Sequence, residues 1–221
     1  MAVALERQKP HPQANRSRCG ERGFSMIEVA VVLAIALGVM AMAIVSLSPN
    51  LQLARSDDAL RIVLAQMRQA REYSIDNRRY VQIAFPTVSS KPEVVLTQMN
   101  TLTPGAGATN PVLSTVWLPA TMQYTLVSSL PDTPDGFGNS SAISFRIEGT
   151  GTTPSGSMYF QSDGELIDSV TDLPIDGTVF LGLSGNTSSA RAVTVMGSTG
   201  RVRGWRAIGT GSNPSTAWQQ F

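Results

Sequence analysis

The sequence holds one cysteine and one histidine, Cys19 and His11, and both fall within its first 23 residues. Their absence from the remainder excludes disulfide bonds there, zinc sites built on thiolate or imidazole, and nucleophile–base pairs that need Cys or His. Chemistry using only Asp, Glu, Lys or Ser stays open, but no spacing of those residues points to it. No enzymatic activity, cofactor or metal is therefore expected. Small exported domains often lean on disulfides, yet roughly 170 residues can bury a sufficient core without them.

What the chain does have is one long apolar run. From Val29 to Leu47 there are 19 residues without a charge. As a helix at about 1.5 Å per residue they reach roughly 28 Å, close to a bilayer's hydrocarbon thickness. Residues 1–23 carry Arg7, Lys9, Arg16, Arg18 and Arg22 against Glu6 and Glu21, an excess of positive charge that marks the cytoplasmic side of a span. A cleaved secretory peptide has a shorter apolar core with its cut site after it, and a plain signal anchor has no use for Glu28 at the head of the run. A carboxylate beside hydrocarbon is costly unless it finds a partner or hydration at the headgroups, which makes Glu28 a candidate functional residue.

These residues, Gly23-Phe24-Ser25-Met26-Ile27-Glu28 ahead of the apolar run, resemble the processing signal of type IV pilins and type II secretion pseudopilins. The resemblance implies a prepilin peptidase that cuts between Gly23 and Phe24, N-methylation of Phe24, and a pairing of Glu28 with the N-terminal ammonium of a neighbouring subunit. Such a pair offsets part of the cost of each charge in lipid and fixes one stagger of the helices.

Beyond Pro49 the pattern stays helical and turns amphipathic. Leu53, Leu60, Val63, Leu64, Met67, Ala70 and Ser74 form a stripe at helical steps, with Arg55, Asp57, Asp58, Arg61, Arg68, Arg71 and Glu72 around the rest. This reads as the second half of one long helix packed on a sheet. Strands are expected at 80–85, 93–98, 112–118, 122–127, 142–147, 157–161, 178–183, 190–196 and 201–207, with loops at 99–111 and 128–141. A helix followed by many short strands is an α+β pattern: a long N-terminal helix, its first half transmembrane, on an antiparallel β-rich C-terminal domain. The divisions are 1–23, a cleaved leader; 24–48, the transmembrane and filament-core helix; 49–79, its amphipathic continuation; 80–208, the β domain; and 209–221, a loose tail.

The junction AREYSIDNRRYVQIAF, the strand AISF with Gly149 nearby, and Ala192-Val193-Thr194-Val195 leading to Gly200-Arg201-Val202-Arg203 are similar to the GspH/FimT group of pseudopilins. That implies a minor subunit of a secretion pseudopilus or a type IV pilus. Its helix would lie among other pilins, with one pass through the bacterial inner membrane and a periplasmic β domain. Gly200-Arg201-Val202-Arg203 also resembles a DNA-contacting element of FimT-type minor pilins. Alternation on a strand puts Arg201 and Arg203 on one face, joined by Trp205, which could stack on a base. Beyond residue 23 the chain is net −2, with 12 basic and 14 acidic residues, so attraction to DNA would have to be local.

Two further patterns have bland and sharp readings. Asp132, Asp135 and Asn139 lie in DTPDGFGN, which lacks the ordered spacing of a calcium loop and reads as a turn closed by Asx hydrogen bonds. Residues 132–176 carry eight acids against Arg146, whereas four arginines and no acid follow Gly177. That asymmetry means either internal complementarity or two docking surfaces of opposite sign.

Overall fold

The computed structural model describes residues 23–99, 110–127, 129–209 and 213–221, with the side chains of 44–49 left aside. The leader up to Arg22, most of the 99–111 loop and the start of the tail therefore lie outside the described residues. Two compact units divide the chain between Ser46 and Leu47.

Helix α1 runs Met26–Asn77 and includes Pro49. Its first turn begins with the Val29 amide donating to the Ser25 carbonyl at 3.1 Å. In the first unit, the span Met26–Ala43 has a mean hydropathy of 2.5 and none of it is buried. The span is long and apolar enough to cross a membrane.

In the second unit the predicted stripe is buried from Leu60 to Ser74, and Leu53 is half-buried. Ala59, Leu60, Val63, Leu64, Met67 and Ala70 join Val81, Ile83, Val94, Leu96, Phe160, Ile175, Val193 and Val202 in the main core. Each fully buried Val, Leu, Ile, Met or Phe side chain among them contributes about 1.5–3 kcal/mol. The helix stops where Arg78 takes a left-handed φ of 50°, while the amides of Arg78 and Arg79 donate back to the carbonyls of Ile75 and Ser74.

Two antiparallel sheets follow. In the first, β3 (Lys91–Gln98) is flanked by β1 (Val81–Ala84) and β4 (Val112–Trp117). The short β2 (Thr87–Val88) also pairs with β3, while β7 (Met158–Phe160) pairs with β1 and with β8 (Leu166–Asp168). In the second, β9 (Ile175–Leu183) pairs with β10 (Asn186–Met196), and also with β5 (Gln123–Tyr124) and β6 (Ile143–Ile147). Next to β10 lies β11 (Arg201–Ala207), then β12 (Trp218–Gln220). The architecture is α+β, as the helix-then-strands order predicts.

Several local expectations change. The tail is not loose over 213–221: Asn213 caps the short helix α2 (Pro214–Ala217), and β12 pairs with β11. The driving force is Trp218, 3% exposed, which packs with Trp205, Phe180, Leu130 and Ala217 in a second core on the far face of the sheet. The strand expected at 122–127 shrinks to Gln123–Tyr124, and β9 and β10 begin earlier than their apolar runs suggest. Strands β2 and β8 were not anticipated. The Ser162-Asp163-Gly164 turn closes the β7–β8 hairpin, with the Gln161 amide donating to the Glu165 carbonyl at 3.0 Å and Gly164 at a φ of +88°.

Candidate functional site

The residues singled out by the sequence fall in two places. The first is the head of α1. Gly23, Phe24 and Ser25 precede the helix, and Glu28 occupies its first turn, where a carboxylate is favoured by the helix dipole. Phe24 is 80% exposed, Met26 93% and Ile27 72%. Among the described residues no cation lies within ion-pair distance of Glu28. The head of α1 thus offers an exposed stretch at residues 23–27, a carboxylate with no ion-pair partner among the described residues, and an apolar surface that its own unit does not cover.

The second place is β11. Alternation holds: Gly204 faces α1, where an added Cβ would press on Leu64 Cδ1 at 2.7 Å, and Arg203 and Trp205 share the opposite face. That face is not open. The loop of residues 130–137 lies over it, and Asp135 gathers three groups there. Its carboxylate accepts from Arg203 Nη1 at 2.7 Å, Trp205 Nε1 at 3.1 Å and Thr194 Oγ1 at 2.6 Å. Trp205 is 6% exposed, so its ring is unavailable for stacking on a base, contrary to the sequence expectation. A large indole next to an apolar cluster gains more from burial than a surface position would give it.

Arg201 differs. It is exposed, and among the described residues its guanidinium has no ion-pair partner. Gly200, at a φ of +60°, is needed for close approach: an added Cβ would collide with the Gly164 carbonyl and the Arg71 side chain. This contact sets the turn carrying Asp163 and Glu165 against Gly200, the residue before Arg201.

Asp132 behaves as the turn reading anticipates, accepting from the amides of Thr133 and Gly138, both at 2.7 Å. Asn139 is partly exposed and does not join the Asp135 cluster. Among the described residues no three Asp, Glu, His or Cys side chains converge as a metal would require.

Among the described residues one ion pair joins the acidic segment to the later arginines, Asp135 with Arg203. Besides Asp135 with Arg203, Asp176 Oδ1 accepts from the Gly197 amide at 2.9 Å, and Glu148 Oε1 accepts from Ser198 Oγ at 3.2 Å. Burial raises the Asp176 carboxyl above the ordinary range; Glu148 adds to the rise, and the Gly197 N–H and Arg146 oppose it. Arg191, 2% exposed, donates from Nε to Asp57 Oδ1 at 2.7 Å and from Nη1 to the Ser188 and Ala190 carbonyls, both at 2.9 Å. Its pKa is lowered by burial, with Asp57 opposing. No local motif signals the Arg191–Asp57 pair; only an unpartnered arginine amid a β-branched strand hints at it.

Neither a protein-family model nor a curated protein matches the chain. Among solved structures, a likeness is found to the type IV minor pilin FimU of Pseudomonas aeruginosa strain PAO1. It has 13% identity and a TM-score of 0.38, and covers 71% of this chain and 89% of that one.

Proposed function

We propose that this chain is a minor pilin or pseudopilin: an assembly subunit held in the inner membrane by α1, cut by a prepilin peptidase between Gly23 and Phe24, methylated at Phe24, and packed with other pilins through the helix. The observation that carries this reading is the adjoining of Gly23-Phe24 and Glu28 to an uncharged stretch, 29–43, that is unburied in its own unit. An apolar helix left uncovered needs lipid or other helices around it. A first-turn carboxylate has no purpose in a mere anchor, but can pair with a neighbour's ammonium on assembly.

In this reading the β domain is periplasmic, since the basic leader holds the other end in the cytoplasm. GspH/FimT-like placement in a secretion pseudopilus or a type IV pilus follows from the sequence resemblance. Mass spectrometry of membrane-extracted protein should show methylated Phe24 at the N-terminus. A chain still intact ahead of Gly23, or a cut beyond Leu47 that frees the β domain, would overturn the proposal.

A second reading, DNA capture through β11, is favoured by the exposed guanidinium of Arg201 alone. Arg203 and Trp205 are engaged by Asp135, so the assembly reading takes precedence.

A further inference from the structure

Two features of the folded unit, at opposite ends of β9, complement each other. The first is a cleft of about 650 Å³ between the β2–β3 turn and the stretch joining β4 to β5. Cavities that seat an inserted group typically measure about 300–1,000 Å³. Apolar Val88, Trp117 and Leu118 line this one, and among the described residues Lys91 is the sole charged one in its wall. Val88 is 46% exposed and Trp117 47%. Among the described residues Lys91 has no acidic partner.

The second feature is the turn between β8 and β9. Val170 is 66% exposed and Leu173 45%, with the exposed Asp172 between them at a left-handed φ of 53°. The turn is firmly held. Buried Asp168 accepts from the amides of Gly156 at 2.7 Å and Thr171 at 3.1 Å, and from Thr171 Oγ1 at 3.0 Å. The Asp172 amide donates to the Asp168 carbonyl at 2.9 Å, and the Asp168 amide to the Leu173 carbonyl at 3.0 Å. Single exposed hydrophobics are ordinary. Here a pinned turn holds two of them in solvent around an acid that, among the described residues, has no ion-pair partner.

We infer that the Val170–Leu173 turn of one copy of this chain seats in the Trp117–Lys91 cleft of another copy. Val170 and Leu173 cover Trp117 and Val88, and Asp172 meets Lys91. The one cation of the cleft and the one anion of the turn are complementary, and a preorganised turn loses little freedom on docking.

Position adds to this. Near the cleft, Gln123 pairs with Gly182 at the far end of β9, and neighbouring Met122 touches Ser56 of α1. The turn precedes Ile175, where β9 begins, and that strand is about 26 Å long at roughly 3.3 Å per residue. A contact between two different surfaces is heterologous, and its repetition joins copies head to tail. The inference extends the assembly reading by naming a contact between folded units, and that contact is independent of processing at Gly23 and of Glu28.

The test uses the full chain in detergent with Cys19→Ser, which leaves no native thiol. Val170→Cys and Ala120→Cys, the latter in the cleft wall, are prepared as separate single-cysteine chains. Both positions are exposed. Mixed under mild oxidation, the two should form a disulfide-linked dimer that neither forms alone. Adding Lys91→Glu to the Ala120→Cys chain should lower the yield at least about tenfold, because it sets like charges face to face. Adding Asp172→Lys to the Val170→Cys chain should restore it. Absence of the mixed dimer, equal yields from either variant alone, or a yield indifferent to Lys91→Glu would overturn the inference. A cleft that serves a partner of different sequence would give the first of these results.

Discussion

Arg191 and Asp57 stand 134 positions apart in sequence and 2.7 Å apart in space. Their ion pair ties the strand at the centre of the second sheet to the helix that covers it. The guanidinium is 2% exposed and the carboxylate 24%, so the arginine depends on its partner far more than the aspartate does.

Asp57→Ala should therefore be more harmful than its partly exposed position suggests. Removing one partner of a buried pair costs about 3–5 kcal/mol, and water reaching Asp57 puts the expected loss near the lower end. Arg191→Met, which removes the buried charge itself, should cost less. Denaturant unfolding of both variants checks the order; equal losses would mean that the pair is not what holds Arg191.

Asp176 gives a pH signature. Its carboxyl pKa is raised by burial, so the folded state holds the proton more tightly than the unfolded chain does. That contribution is fully present below the unfolded value of about 4 and is lost as pH rises through the raised folded value. Asp176→Asn keeps an acceptor for the Gly197 amide without the charge. It should be at least as stable as wild type at neutral pH, with its advantage shrinking to nothing in acid. Thermal melts across pH would contradict this if the variant were less stable at pH 7.

The two arginines of β11 should separate in their effects. Arg203→Gln breaks the contact with Asp135 and should cost about 1–2 kcal/mol, the lower part of the range for hydrogen bonds to charged groups because the guanidinium is partly solvated. Arg201→Gln should leave stability unchanged. In a gel shift, DNA should fail to bind at moderate salt. A salt-sensitive complex lost in Arg201→Gln would instead revive the DNA reading.

Glu28→Leu should leave membrane insertion intact and impair incorporation into filaments, because it removes the only charge in the first turn of α1. Crosslinking to partner pilins in wild type and variant measures this. Unchanged yields would remove Glu28 from any role in helix register.

The sequence made the main features readable where a pattern repeats. The buried stripe from Leu60 to Ala70 follows helical spacing, and the strands around Ile83, Leu96 and Val193 alternate or run apolar as strands do. The features that the sequence does not reveal depend on distant partners. Gly209 to Pro214 has the composition of a loop, and nothing local reveals that Trp218 will donate its indole N–H to the Pro131 carbonyl at 3.0 Å. Alternation places Trp205 on the face it occupies, but the loop that covers this face comes from residues some 70 positions earlier. Strand β8 is only Leu166–Asp168, too short for any period to register.

The way α1 lies on its sheets also has a mechanical consequence. Gly204 sits against Leu60 and Leu64, and Gly200 against Arg71, so helix and strand run alongside one another over several turns. A pull on the helix end nearest Ser56 would load Leu60, Val63, Met67 and the Asp57–Arg191 pair together, in shear, instead of peeling them apart one turn at a time. Force applied to a subunit through its helix would thus be resisted by the whole core at once.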